Sequence, residues 1–214
     1  MGSLLSIFEE HLETLKFEIK EHASHGRYEI RRYPEYWVAK TKISKNGFSG
    51  SAFSSLAAYI GLFGSYKPAN TEELKIPMTR PVFLYRQGED KFMEFVLPEN
   101  QHPMSRNGVV VQKVPAMLCA VVHDVNRTVA NGKSWGMVEA EVAKIKRVLE
   151  SQGYRTDPGS PWKIAIYSMP LFRQFPKGSH ILVPVFQGHV SLPERTDMYS
   201  MACSRCGLTI TDGS

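Results

Sequence analysis

Cysteine is scarce in this 214-residue chain, which has only Cys119, Cys203 and Cys206. So few thiols, in odd number, argue against a disulfide framework and predict a reducing compartment, the cytoplasm. Long apolar runs are missing too. Nothing approaches the ~18 consecutive apolar residues of a membrane span, and Glu9, Glu10, His11 and Glu13 interrupt the N-terminal stretch. Nor is charge of one sign concentrated: 26 Lys and Arg are interleaved with 21 Asp and Glu, for a net charge of +5. Nucleic-acid binders gather their excess into a stripe, so this dispersed excess argues against nucleic acid and suits a small anion with one or two carboxylates. The spacings of common catalytic centres are also absent. There is no Gly-x-Ser-x-Gly elbow, no glycine-rich phosphate loop and no His-Glu-x-x-His pair.

What is present is the composition of a globular chain, 43% hydrophobic and 22% charged, long enough to bury a core without disulfides or metals. Leu4, Phe8, Leu12, Leu15 and Ile19 recur at steps of three and four between Glu9, Glu10, Glu13 and Glu18. That spacing predicts an amphipathic helix over 2–23, docked on the domain, on a second copy or weakly on a membrane. Gly2 with Ser6 also fits the Met-Gly-x-x-x-Ser pattern of N-myristoylation.

From Tyr28 the pattern changes to short strand-like runs. Tyr28–Tyr33 and Tyr36–Ile43 flank Pro34-Glu35 as an expected strand pair, and a helix over Ala52–Ile60 follows, with Phe53, Leu56, Ala57 and Ile60 on one face. Strands are expected at Val82–Tyr85 and Phe92–Leu97. The order then repeats: strand runs at Val109–Val114 and Met117–Val125 around Pro115, a helix over Ser134–Gln152 stopped by Gly153, and strands at Trp162–Ser168 and His180–Val185. Two copies of strand, strand, helix, strand, strand predict the α+β class, the two halves sharing one core. The domain plan is an N-terminal helix and linker (1–27), one domain (28–186) and a flexible tail (187–214).

Tyr28-Glu29-Ile30-Arg31-Arg32-Tyr33-Pro34, Trp37-Val38-Ala39, Tyr59-Ile60, Lys75-Ile76-Pro77-Met78-Thr79-Arg80-Pro81-Val82 and Tyr167-Ser168-Met169-Pro170 occur in that order. In this the chain resembles the SOUL/heme-binding protein family. The resemblance implies a duplicated βαββ-type fold, a distorted antiparallel eight-stranded β-barrel flanked by two helices. It also implies a groove for heme, free-base porphyrin or another tetrapyrrole, in a carrier or buffer rather than a catalyst. A histidine proposed as axial ligand in some relatives has no counterpart here, because 40–51 contains none.

A tetrapyrrole needs an apolar slot for its ring and cations for its acid groups. The expected walls are Phe53, Leu56, Ala57, Ile60, Ile76 and Met78 on one side and Trp135, Val138 and Val142 on the other, with Lys75 and Arg80 as the rim cations. His123, at the end of a strand, is the first choice of iron ligand, and His102 the second. No structural metal is expected, since Cys203-Ser204-Arg205-Cys206 is half a zinc knuckle without its other half. A second reading is an enzyme that modifies or demetallates a tetrapyrrole or similar planar amphipathic substrate. It rests on Glu139 and Glu141 beside Trp135, where a carboxyl facing an apolar groove would titrate high. A third is an effector-sensing or interaction module working through the N-terminal helix, including as a homodimer.

Overall fold

The computed structural model describes residues 12–22, 28–44, 49–62, 67–123, 135–156, 160–167 and 179–187. The elements in chain order are β1 (Glu13–Thr14), β2 (Glu18–His22), β3 (Glu29–Tyr33), β4 (Tyr36–Ile43), α1 (Ser49–Ile60), β5 (Thr79–Arg80), β6 (Val82–Gln87) and β7 (Asp90–Leu97). They continue with β8 (Val110–Val114), β9 (Met117–Val122), α2 (Trp135–Ser151), β10 (Tyr154–Thr156), β11 (Lys163–Ile166) and β12 (His180–Gln187). Ten strands form one sheet in the order β2-β3-β9-β12-β11-β6-β7-β4-β8, with β10 also on β12, while β1 and β5 make a small parallel pair. All eight strands and both helices expected from the sequence after Tyr28 are present, so the molecule is α+β with a large antiparallel sheet.

Three expectations are corrected. Among the described residues the sheet does not close into a barrel: its outer strands, β2 and β8, do not pair with each other. Closure needs the free edge of β3, and residues 18–22 already pair with that edge in antiparallel register. Those same residues correct the N-terminal helix, which the structure replaces with β1 and β2 over the part it describes. Leu15 and Ile19 fit the helical stripe, but with Phe17 between them they also alternate, and pairing to a sheet edge decided between the two periods. Residues 1–11, with Gly2 and Ser6, lie outside the described residues.

The third correction concerns hairpins. β3 pairs with β9 and β4 with β8, so neither strand pair around Pro34 or Pro115 folds back on itself. A two-residue hairpin turn requires a positive φ at its first central position, which proline cannot adopt. By contrast β6 and β7 do form a hairpin through Gly88, whose φ is +61°.

The helices cover one face of the sheet. Phe53, Leu56, Ala57 and Ile60 of α1 and Val138, Val142, Ile145 and Leu149 of α2 pack with Leu84, Phe95, Ala120, Ile164 and Val183 in a single core. α1 ends where Gly61 (φ +71°) turns the chain so closely that a Cβ there would lie 2.6 Å from Pro68 Cγ. Asn70, fully buried, then pins the following loop: its Nδ2 donates to the carbonyls of Tyr59 and Leu74, and its Oδ1 accepts from the Leu74 amide. On the opposite face Tyr33, Tyr36, Val38, Phe83, Val96, Cys119, Val121, Ala165 and Leu182 form a second cluster, joined by Leu15.

Candidate functional site

The second face also carries charge that is removed from water. Strand alternation places Glu94 of β7 on the same side as Val96, and Lys163 of β11 on the same side as Ala165. Lys163, 9% exposed, donates to Glu94 Oε2 at 2.6 Å; Glu94, 1% exposed, accepts at Oε1 from the Tyr85 hydroxyl at 2.8 Å. The Lys163 ammonium also lies 5.1 and 5.0 Å from the ring centres of Phe83 and Tyr85. A buried charge survives only when paired and hydrogen-bonded, and here both carboxylate oxygens are engaged. Burial, reinforced by the charge of Glu94, raises the Tyr85 phenol far above its ordinary value and keeps it a donor.

Beside this cluster the Lys40 ammonium lies 4.1 Å from the Phe92 ring centre and 5.2 Å from that of Tyr85. Burial holds it below the usual lysine range, against the opposing pull of Glu94, and the nearby Lys163 adds to the lowering. Cavity space of about 1020 Å³ opens onto these groups, with Lys40, Tyr85, Glu94 and Lys163 in its lining. Gln112, Val114, Met117, Leu118, Pro184 and Phe186 supply further wall, largely apolar. Elsewhere on the lining the Tyr154 hydroxyl donates to Glu21.

Lining cations are Lys20, Arg32, Lys40, Lys113 and Lys163, against Glu21 and Glu94 as the acids. Lys20, Lys113 and Lys163 are paired with Glu18, Glu35 and Glu94. Among the described residues Lys40 and Arg32 have no ion-pair partner. The volume lies at the top of the range for ligand sites, roughly 300–1,000 Å³. An apolar wall with free cations at its margin suits a flat, largely apolar ligand bearing acid groups.

The slot residues expected from the sequence lie elsewhere. Phe53, Leu56, Ala57, Ile60, Ile76, Val138 and Val142 are at most 6% exposed and are brought together in the helix-side core, not on the cavity. Met78 and Trp135 are half-buried against that core, and Lys91 sits over the Trp135 ring. Lys75 is exposed, while Arg80 donates through Nε to Thr14 Oγ1 at 2.7 Å. Glu139 pairs with Arg86 and Glu141 with Lys144, each at 3.1 Å on the surface of α2, so neither faces the cavity. His123 Nε2 is 3.2 Å from Glu29 Oε1 and 3.3 Å from an Arg31 nitrogen, its ring is edge-on to His180, and it does not line the cavity. His102 stacks on Trp37. Cys203 and Cys206 lie outside the described residues, and among the described residues no group of His, Cys, Asp and Glu could hold a metal ion.

Sequence reading missed Glu94, Lys163, Lys40 and Tyr85. A signal was available in Phe92-Met93-Glu94-Phe95-Val96-Leu97, an acid inside an otherwise apolar strand, and in Lys163 before Ile164-Ala165-Ile166. An ionised group on a buried strand face demands a partner on a neighbouring strand.

Fold and cavity together describe an α+β protein with an open antiparallel sheet and a ligand-sized cavity reaching one of its faces. The chain belongs to the SOUL heme-binding protein family, whose model matches residues 12–184. That match begins inside the segment expected to be a separate helix. No curated protein matches the chain. Among solved structures, the C-terminal domain of EcmrR is 18% identical with a TM-score of 0.47, covering 75% of this chain and 98% of its own. A hydrolase from Listeria innocua is 10% identical with a TM-score of 0.47, covering 85% and 97%. SAV2435 bound to tetraphenylphosphonium is 10% identical with a TM-score of 0.40, covering 74% and 93%. Likeness at this level speaks to neither ligand nor reaction. No described helix is long and apolar enough to cross a membrane.

Proposed function

We propose that the protein carries or buffers a tetrapyrrole in the cytoplasm, with the ring against the apolar wall of the cavity and its acid groups toward Lys40 and Arg32. Family membership supports the ligand class. The observation that carries the placement is the cavity of about 1020 Å³, which joins Val114, Met117, Leu118, Pro184 and Phe186 to two cations without ion-pair partners among the described residues. Among the described residues its lining contains no imidazole and no thiolate; the Met117 thioether and the engaged phenols of Tyr85 and Tyr154 are the nearest substitutes for an iron ligand. The residues therefore fit the macrocycle and its acids better than they fit the iron. Affinity that rests on ring burial and charge is expected to be similar for heme and for the metal-free ring.

Titration of the purified chain with hemin and with metal-free protoporphyrin tests this reading. Saturable changes at micromolar ligand, with dissociation constants within about tenfold of each other, are expected. No saturable change with either overturns it.

The proposal includes a duplicated origin for the sheet and a single ligand-binding unit that begins near residue 12. Exchanging β3, β4, β6 and β7 for β8, β9, β11 and β12 turns the run β3-β9-β12-β11-β6-β7-β4-β8 into itself read backwards. Pairing agrees at the residue level: Tyr33 faces Met117 across β3 and β9, as Val114 faces Tyr36 across β8 and β4.

A further inference from the structure

The same exchange assigns a counterpart to each wall of the cavity. Val38 faces Gln112 as Cys119 faces Arg31, so Gln112 and Val114 correspond to Arg31 and Tyr33. Across the middle of the sheet, Lys163 faces Tyr85 and Leu182, as Phe83 faces Ala165 and Glu94. Tyr85, Glu94 and Lys163 therefore correspond to Ala165, Leu182 and Phe83. The polar floor of one half is an apolar floor in the other.

The chain's own N-terminal segment packs against the cluster to which that second floor belongs. Leu15 packs against the cluster containing Phe83, Ala165 and Leu182, and its amide donates to the Arg80 carbonyl at 2.8 Å. Phe17 lies over the counterparts of two cavity-wall residues: its ring centre is 4.0 Å from the Arg31 guanidinium carbon and 5.7 Å from the Tyr33 ring. We propose that this half of the sheet is a second binding site, filled in the resting chain by Leu15 and Phe17, and that it accepts a flat aromatic molecule bearing an acid group. Phe17 shows the ring position. Arg31 supplies the positive charge for an acid group, which shares the guanidinium with Glu29, bound through Nε at 2.7 Å, and with His123, whose Nε2 is 3.3 Å from Nη2. Phe17 is 36% exposed and β2 lies at a sheet edge, so the covering segment can leave without breaking the sheet's interior. This goes beyond the tetrapyrrole reading, since it concerns the symmetry counterpart of the cavity floor and does not need a tetrapyrrole as ligand; the two floors adjoin, and β2 also lends Lys20 and Glu21 to the cavity lining.

The test is the stoichiometry of 8-anilinonaphthalene-1-sulfonate, an aromatic acid, on full-length chains. Leu15→Ala/Phe17→Ala is expected to bind one more equivalent than the unchanged protein, and a synthetic peptide of residues 12–22 is expected to displace that equivalent. The same peptide carrying Phe17→Ala should displace it at least tenfold less well. Should the double variant not fold, Phe17→Ala alone supplies the measurement, because its side chain is partly exposed. A folded Phe17→Ala chain with the same number of equivalents as the unchanged protein overturns the proposal, as does an extra equivalent that the peptide does not displace. Lys40→Ala separates the two readings: it weakens protoporphyrin binding in the cavity and leaves the extra equivalent in place.

Discussion

Lys163 and Glu94 are 69 residues apart in sequence, yet they meet at 2.6 Å with side chains only 11% and 1% exposed. Leaving either alone strands a charge away from water. Glu94→Gln and Lys163→Met are each expected to lower stability by about 3–5 kcal/mol, read as a shift in the urea midpoint. Replacing the whole network by Glu94→Leu, Lys163→Phe and Tyr85→Phe, which copies the apolar chemistry of Leu182 and Phe83 in the other half, should recover most of that loss. If the triple variant is less stable than either single one, the pair is more than a compensated burial.

Lys40 separates the cavity from the helix-side slot as the ligand site. Lys40→Ala is expected to weaken both hemin and metal-free protoporphyrin by about tenfold, the worth of one ion pair of ~1.4 kcal/mol in a partly dry site. Lys75→Ala and Met78→Ala should leave both affinities within about twofold, because neither residue lines the cavity. Porphyrin emission reads the metal-free ring, and the absorbance change of hemin reads the iron form, in all four chains. The opposite ranking would return the ligand to the helices.

The neighbourhood of His123 predicts a structural role. Burial pushes the Glu29 carboxyl up, but the bond from Arg31 and the positive charge of Arg31, with a smaller part from His123, outweigh it and hold the group below its ordinary value of 4.5. A carboxyl lowered by folding stabilises the fold above the unfolded-state value and loses that contribution as pH falls through the lower folded value. The melting temperature should therefore fall as pH drops from about 5 toward 3, and Glu29→Gln should flatten that decline. His123→Ala should leave the Soret band of the hemin complex unchanged, since the ring is held by Glu29 and Arg31 away from the cavity. A shifted band would put the iron beside His123.

Much of this architecture was readable in the residues. Alternation and helical spacing placed eight strands and two helices, since each buries one face and the period shows directly. Connectivity was harder. Nothing local in Tyr33-Pro34-Glu35-Tyr36 says that β3 should seek β9, and that pairing is a contact of the whole sheet. Leu15 and Ile19 satisfy a helical step and, with Phe17 between them, an alternating one, and the available edge of β3 decided between the two. For the site, the expectation began from apolar helix faces, and those faces are what the core consumes. The charged residues on the strands that line the candidate cavity, Lys40, Glu94 and Lys163, have a meaning that depends on partners far away in sequence.

Cys119 offers a direct probe of the second face. It is 1% exposed within the cluster that Leu15 packs against, and burial pushes its thiol up to about 12, with Lys163 opposing slightly. The thiolate is the reactive form, so at pH 8 both protonation and burial protect the side chain. In a Cys203→Ser/Cys206→Ser chain, iodoacetamide is expected to add no label under native conditions and one label in urea. Adding Leu15→Ala and Phe17→Ala should speed native labelling by at least tenfold, because the segment covering this face is loosened while the helix-side core is untouched. The melting curve of the same sample distinguishes local exposure from global unfolding: a faster label with an unchanged cooperative transition locates the opening at residues 13–19. Equal labelling rates in the two folded chains would mean that Cys119 is guarded by the sheet alone.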